Sequence, residues 1–195
     1  MKTYITKSSK TATNQQLINE ALYILESLGI PFEKKTEKAL QSMAMCFLSV
    51  AGISKSWKEA KGLKENRHLK TREIIKYINE HFEENISPGS YDDVRRKHLK
   101  LLVLADLVLN SANNPGAATN DPTRGYALRA DVKNLLINFN TSQWEIKLKL
   151  FLKNQEPLSA ILARKRNIVS FRFPFPAISK SVYPKANTMT FKSRS

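Results

Sequence analysis

Between residues 71 and 100, two stretches of helical apolar spacing are separated by a short run of turn-forming residues. That arrangement limits the fold more than any other feature of the chain. Thr71-Arg-Glu-Ile-Ile-Lys-Tyr-Ile-Asn-Glu-His-Phe82 puts Ile74, Ile75, Ile78 and Phe82 on one helical face, with Thr71 as the expected cap. Ile86-Ser-Pro-Gly-Ser90 reads as a turn, because proline fixes its own backbone angle and glycine accepts angles other residues avoid. Ser90 is the expected cap of the next helix, which begins Tyr91-Asp-Asp-Val-Arg-Arg-Lys-His-Leu-Lys100 and is mostly apolar from Leu101 to Val108. Strand candidates Leu107-Val-Leu109 and Tyr126-Ala-Leu128 flank a loop containing Asn113-Asn-Pro-Gly116 and Asp121-Pro-Thr-Arg-Gly125. Helix, turn, helix, hairpin is the order of a winged helix-turn-helix.

The rest of the chain adds helices to that core. Asn14 is the expected cap of a first helix carrying Leu17, Ile18, Ala21, Leu22, Leu25 and Leu28, ended by Gly29 and Pro31. A second helix is expected from Thr36 through Leu40, Met43, Phe47 and Val50 to Gly52. Residues 53–70, with Lys55, Lys58, Lys61, Lys64, Arg67 and Lys70, read as a basic connector. Further helices are expected near 131–139, 142–153 and 157–165. The expected fold class is mainly α: a winged helix-turn-helix core with additional helices and a short β-hairpin wing. Its expected divisions are a disordered N-terminus over 1–13, a helical DNA-binding domain over 14–167 and a poorly ordered tail over 168–195.

Lys and Arg number 32 against 17 Asp and Glu, a formal net charge of +15, which points to a polyanionic partner and first to nucleic acid. The single cysteine, Cys46, lies in an apolar stretch and reads as a small core residue. No signal peptide or membrane-spanning apolar run is evident, so the expected location is the cytoplasm and no membrane partner is expected.

In a winged helix-turn-helix the second helix enters the major groove of double-stranded DNA. Val94, His98, Leu101, Leu102 and Ala105 fall on one side of that helix, to pack against Ile74, Ile75 and Ile78. Asp93, Arg96, Lys97 and Lys100 fall on another. Arg and Lys donate to guanine O6 and N7, and Asp accepts from cytosine N4. Arg96, Lys97 and Lys100 are therefore the expected groove residues, with Asp93 and Ser90 as secondary contacts. Arg95 is assigned either to the DNA backbone or to an internal ion pair, and Arg124, in the wing, to a phosphate. The competing reading is an ordinary amphipathic helix with Asp93 paired to Arg96 or Lys97. His98 is expected to be a hydrogen-bonded core histidine, and Trp57 and Trp144 packing residues.

Thr71 to Phe82 followed by Ser87-Pro-Gly-Ser-Tyr-Asp-Asp-Val-Arg-Arg-Lys97 resembles the helix-turn-helix core of BsuBI/PstI-type restriction endonucleases. The resemblance continues through Leu101-Leu-Val-Leu-Ala-Asp-Leu-Val-Leu-Asn110, Asn120-Asp-Pro-Thr-Arg-Gly-Tyr-Ala-Leu128 and Leu158-Ser-Ala-Ile-Leu-Ala-Arg-Lys-Arg166, covering roughly residues 15 to 167. It implies magnesium-dependent cleavage of a palindromic site, CTGCAG being typical of the family, and a cognate methyltransferase. It also leaves room for a homodimer of the intact enzyme. The family's chemistry lies in a second, C-terminal domain. Nucleases of the PD-(D/E)xK type hold Mg²⁺ with two carboxylates, and no Asp or Glu follows Glu156 here. Glu145-Ile-Lys147, with Asp131 upstream, sits in a helical pattern whose i and i+2 residues diverge, so it is not read as that site. The chain alone is expected to have no catalytic residue, no metal and no cofactor, and not to cut DNA. Codons for Val182 to Ser195 read two bases along permit a segment resembling L-S-P-G-x-H-N-x-L, which opens the family's catalytic domain. The expectation is a frameshift near residue 168. Two other readings remain: a free-standing winged-helix regulator of a restriction-modification locus, and a protein-interaction module.

Overall fold

The structure is a computed structural model and describes residues 2–6, 9–33, 35–111, 114, 116, 125–158, 160–161 and 163–164. Arg124, expected in the wing, and the tail from 165 onward lie outside the described residues. The fold is mainly helical with one small antiparallel sheet.

Helix α1 (Ala12–Ser27) packs along α2 (Glu37–Ala51), and α2 packs in turn on α3 (Thr71–His81) and on the helix after it. Helix α2 is buried at every position from Met43 to Ala51, so it has no solvent face there and needs neighbours all round. Thr36 caps its start, the hydroxyl accepting from Ala39 N–H at 3.3 Å. At its other end every orphan carbonyl finds a donor. Ile53 N–H reaches Leu48 O, Lys61 N–H reaches Ala51 O, and Arg67 donates to Ser49 O and Val50 O at 2.5 and 3.2 Å. Gly52 has φ +74°, and a Cβ there would sit 2.7 Å from Arg67 Nε, so only glycine fits both the turn and the arginine. The connector over 53–70 is thus tied down, with Arg67 half-buried as a helix-end cap.

The residues after α3 form one continuous helix, α4, over 91–104. Strands β1 (Val108–Leu109) and β2 (Ala127–Leu128) pair antiparallel, Val108 opposite Leu128 and Leu109 opposite Ala127. Leu69 joins the opposite edge of the β2 segment by exchanging both backbone hydrogen bonds with Tyr126 at 2.9 and 2.8 Å. Gly125 allows this approach, since a Cβ would lie 3.2 Å from the Leu69 backbone. Helix α2, the extended residue Leu69, α3, α4, then a hairpin is the complete winged-helix order. Helices α5 (Ala130–Leu136) and α6 (Trp144–Lys153) close the domain. Phe139 stacks edge-on against both Trp57 and Trp144, at 5.1 and 4.9 Å between centroids. Both tryptophans are therefore packing residues.

Residues 2–6 and 9–13, the described part of the N-terminus expected to be disordered, are held against the domain. Tyr4 and Ile5 are buried, and both of their N–H groups donate to Asn19 Oδ1 at 2.7 and 2.9 Å. Further along, this strap grips the end of α3. Lys10 is buried, 2.7 Å from Glu84, and donates to Phe82 O. Thr11 N–H donates to Glu83, whose φ is +54°, and Asn14 donates to His81 O at 3.0 Å. A cation and one amide donor thus meet the negative end of the α3 dipole, while Thr11 N–H ties down the Glu83 carboxylate. Asn14 is committed there, and Thr11 takes the position before α1.

The turn itself is pinned by Asn79, whose side-chain amide donates to Ile86 O at 2.9 Å and accepts from Ile86 N–H at 2.8 Å. Ser87, not Ser90, caps the entry to α4, its hydroxyl accepting from Gly89 N–H at 3.3 Å. Ser90 lies within the 3-10 turn Pro88–Ser90 and makes no cap bond. At α3 the position expected for Thr71 is held by Lys70, whose N–H donates to Glu73 at 2.6 Å. Replacing Asn79 by Leu leaves both backbone groups of Ile86 unpaired and should cost about 1–3 kcal/mol, read as a lower urea midpoint with unchanged m-value.

Candidate nucleic-acid interface

Helix α4 is not α-helical throughout. Tyr91–Asp93 and Lys100–Leu104 are α-helical, whereas Val94–Leu99 is a π-helical turn in which Lys100 N–H donates to Arg95 O, five residues back. The wider turn changes which side chains face the core. Val94, Leu99, Leu102 and Ala105 are buried, while His98 and Leu101 are only partly so. Leu99 therefore takes the core position that uniform α spacing gives to His98.

His98 feels the charges of Lys35, Lys97 and Asp93. Burial, with help from the two lysines, holds its imidazole below its ordinary value. No hydrogen bond to its ring is seen among the described residues, so the hydrogen-bonded core histidine is not what forms.

The polar side of α4 is exposed, with side-chain exposures of 54%, 69% and 65% for Arg95, Arg96 and Lys97. None of the three is therefore in the core. Lys100 is also exposed. Arg95 donates to Asp92 through Nε and Nη2 at 3.2 and 2.5 Å, and Arg96 pairs with the other oxygen of the same carboxylate. Asp93 pairs with Lys97 at 3.0 Å. The internal ion pair considered for Arg95 is thus present, and of the two partners considered for Asp93 it is Lys97 that is taken. Hydrogen bonds from Arg95 and Arg96 hold the Asp92 carboxyl below the usual carboxylate range.

Sequence reasoning missed Asp92, although its three- and four-residue spacing to Arg95 and Arg96 was a readable signal. It also missed the pairing of Arg72 with Tyr91. The guanidinium lies 5.3 Å above the ring, joining the N-terminal ends of α3 and α4 on one exposed surface. Ser90 is half-buried beside this pair in sequence. Among the described residues, no three His, Cys, Asp or Glu side chains gather as a metal site. Asp131 is instead bound to Arg129. No described helix is long and apolar enough to cross a membrane.

The profile of the family described as BsuBI/PstI restriction endonuclease HTH domain matches residues 15–160. The chain is 26% identical over 151 residues to the type II restriction enzyme BsuBI of Bacillus subtilis, covering 76% of this chain and 45% of that enzyme. Its fold is similar to the structure of SdaI restriction endonuclease, with a TM-score of 0.60 at 21% identity, over 77% of this chain and 46% of that one. The chain thus spans less than half the length of the relatives it matches.

The depressed His98 pKa fixes a sign for the pH dependence of stability. Between the folded value and about 6.5 the unfolded chain binds a proton that the folded chain refuses. Its stabilising contribution is therefore complete above that pH and is lost as pH falls through the window. Thermal melts of wild type should drop faster than those of His98→Gln between about pH 7 and 5.

Proposed function

The chain belongs to the BsuBI/PstI restriction endonuclease HTH domain family, and on that premise we propose that it binds double-stranded DNA through α4 and carries no nuclease chemistry of its own. The observation that carries the reading is the exposed cation set Arg95, Arg96, Lys97 and Lys100 on the second helix of a helix-turn-helix, with a wing strand pair directly after it. In this reading Arg96, Lys97 and Lys100 meet the major groove, with Asp93 and Ser90 as secondary contacts. Arg124 is assigned to a phosphate, and Arg95 to its internal ion pair with Asp92. The net charge of +15 supports phosphate contact over the wider surface. CTGCAG, the site typical of the family, is the proposed target.

The absence of chemistry rests on the sequence beyond Glu156, which contains no carboxylate side chain. We read these residues as the recognition part of a type II restriction enzyme. Recognition itself needs no metal, so EDTA should leave DNA retention unchanged, and Mg²⁺ should produce no nicking of CTGCAG-containing plasmid.

Affinity for duplex DNA should fall steeply with salt. Arg96→Ala with Lys97→Ala should weaken it by about one to two orders of magnitude and lower the salt slope by about 1 for each phosphate no longer neutralised. The melting temperature should hardly move, because both side chains are exposed. Unchanged affinity at moderate salt rejects the α4 assignment.

A further inference from the structure

Asp92 organises the basic surface of α4. One carboxylate oxygen accepts from Nε and Nη2 of Arg95, and the other accepts from Nη2 of Arg96. One carboxylate therefore engages two neighbouring guanidiniums and leaves the other donors of each fork unclaimed by it. Asp93 neutralises Lys97 separately. Among the described residues, Lys100 is the one cation of the four without a carboxylate partner.

We propose that Asp92 is a specificity-determining residue, which withholds charge from phosphates while presenting Arg95 and Arg96 as oriented hydrogen-bond donors to base edges. The inference rests on the DNA-binding reading above. Binding to any duplex is driven by neutralising phosphates and releasing their counterions. A guanidinium already matched by a carboxylate adds little to that driving force. Reading a guanine edge depends on the geometry of a planar donor fork, which a shared carboxylate partner helps to fix. Asp92 therefore lowers affinity for non-preferred duplexes more than for preferred ones, and the ratio between them widens. The pairs are exposed and individually weak, so the effect is a factor of a few for each pair.

The test compares the full chain with Asp92→Asn, Asp92→Glu and Asp93→Asn on a pool of labelled duplexes randomised over a central segment. Affinity is measured across a salt series, and the bound molecules are recovered and sequenced. Asp92→Asn should bind the pool about five- to tenfold tighter, with a salt slope steeper by about 1 to 2, and should enrich a weaker sequence motif than wild type. Asp93→Asn should gain about two- to threefold, and Asp92→Glu, which keeps the charge, should stay near wild type. Equal affinity, slope and enrichment for wild type and Asp92→Asn overturn the role of Asp92 and leave DNA binding standing. Binding by wild type with no enrichment likewise removes the specificity claim. No salt-sensitive retention by any of the proteins overturns both readings.

Discussion

Helix α2 has no face to give to water over its last nine residues, and the domain is arranged to meet that demand. A helix buried on all sides must be wrapped before it is stable, because propensity alone contributes too little. Helix α1 covers one side, α3 and the π-helical turn of α4 cover others, and β2 also packs against it. Helix α4 is therefore held by the same core that holds the rest of the domain. Its apolar side is fixed by packing on α2, and its polar side is left to face outward.

Closing the end of α2 has consequences for the rest of the winged-helix unit. Arg67 occupies two of the terminal carbonyls and also lies 5.0 Å from the ring of Tyr77 on α3. Two residues on, Leu69 pairs with Tyr126 at the base of the wing. The connector thus links the end of α2, the side of α3 and the sheet in a few residues. Lys10, Thr11 and Asn14 do the corresponding work at the far end of α3. Helix α3 is thus held along its side and at its C-terminal end by segments whose sequences look merely polar.

What was legible in the sequence follows from this. Ile74, Ile75, Ile78 and Phe82 are all buried, as their spacing requires, and the hairpin strands fall within one residue of their expected places. Local periodicity and turn chemistry carry that information. The strap at Tyr4 and Ile5, the Arg67 cap and the Asn79 clamp were not legible, because each depends on a partner distant in sequence or on a backbone group that no pattern displays. The π-helical turn was missed for a different reason. Uniform α spacing puts His98 in the core, whereas the wider turn buries Leu99 instead. Asp92 was within reach, since its spacing to Arg95 and Arg96 is local, but the pairing options of Asp93 masked it.

The charge of the protein acts on two length scales. The net charge of +15 raises the rate of encounter with a polyanion and is screened beyond about 8 Å at physiological salt. On α4 the four cations Arg95, Arg96, Lys97 and Lys100 stand against Asp92 and Asp93, a local excess of only two. A helix meant only to hold phosphates gains nothing from two carboxylates in its first turns beyond a small dipole effect. Carboxylates placed to engage three of the four cations make sense where donor direction matters more than charge. On the proposed DNA-binding reading, long-range attraction and close-range discrimination fall to different residues of one basic chain.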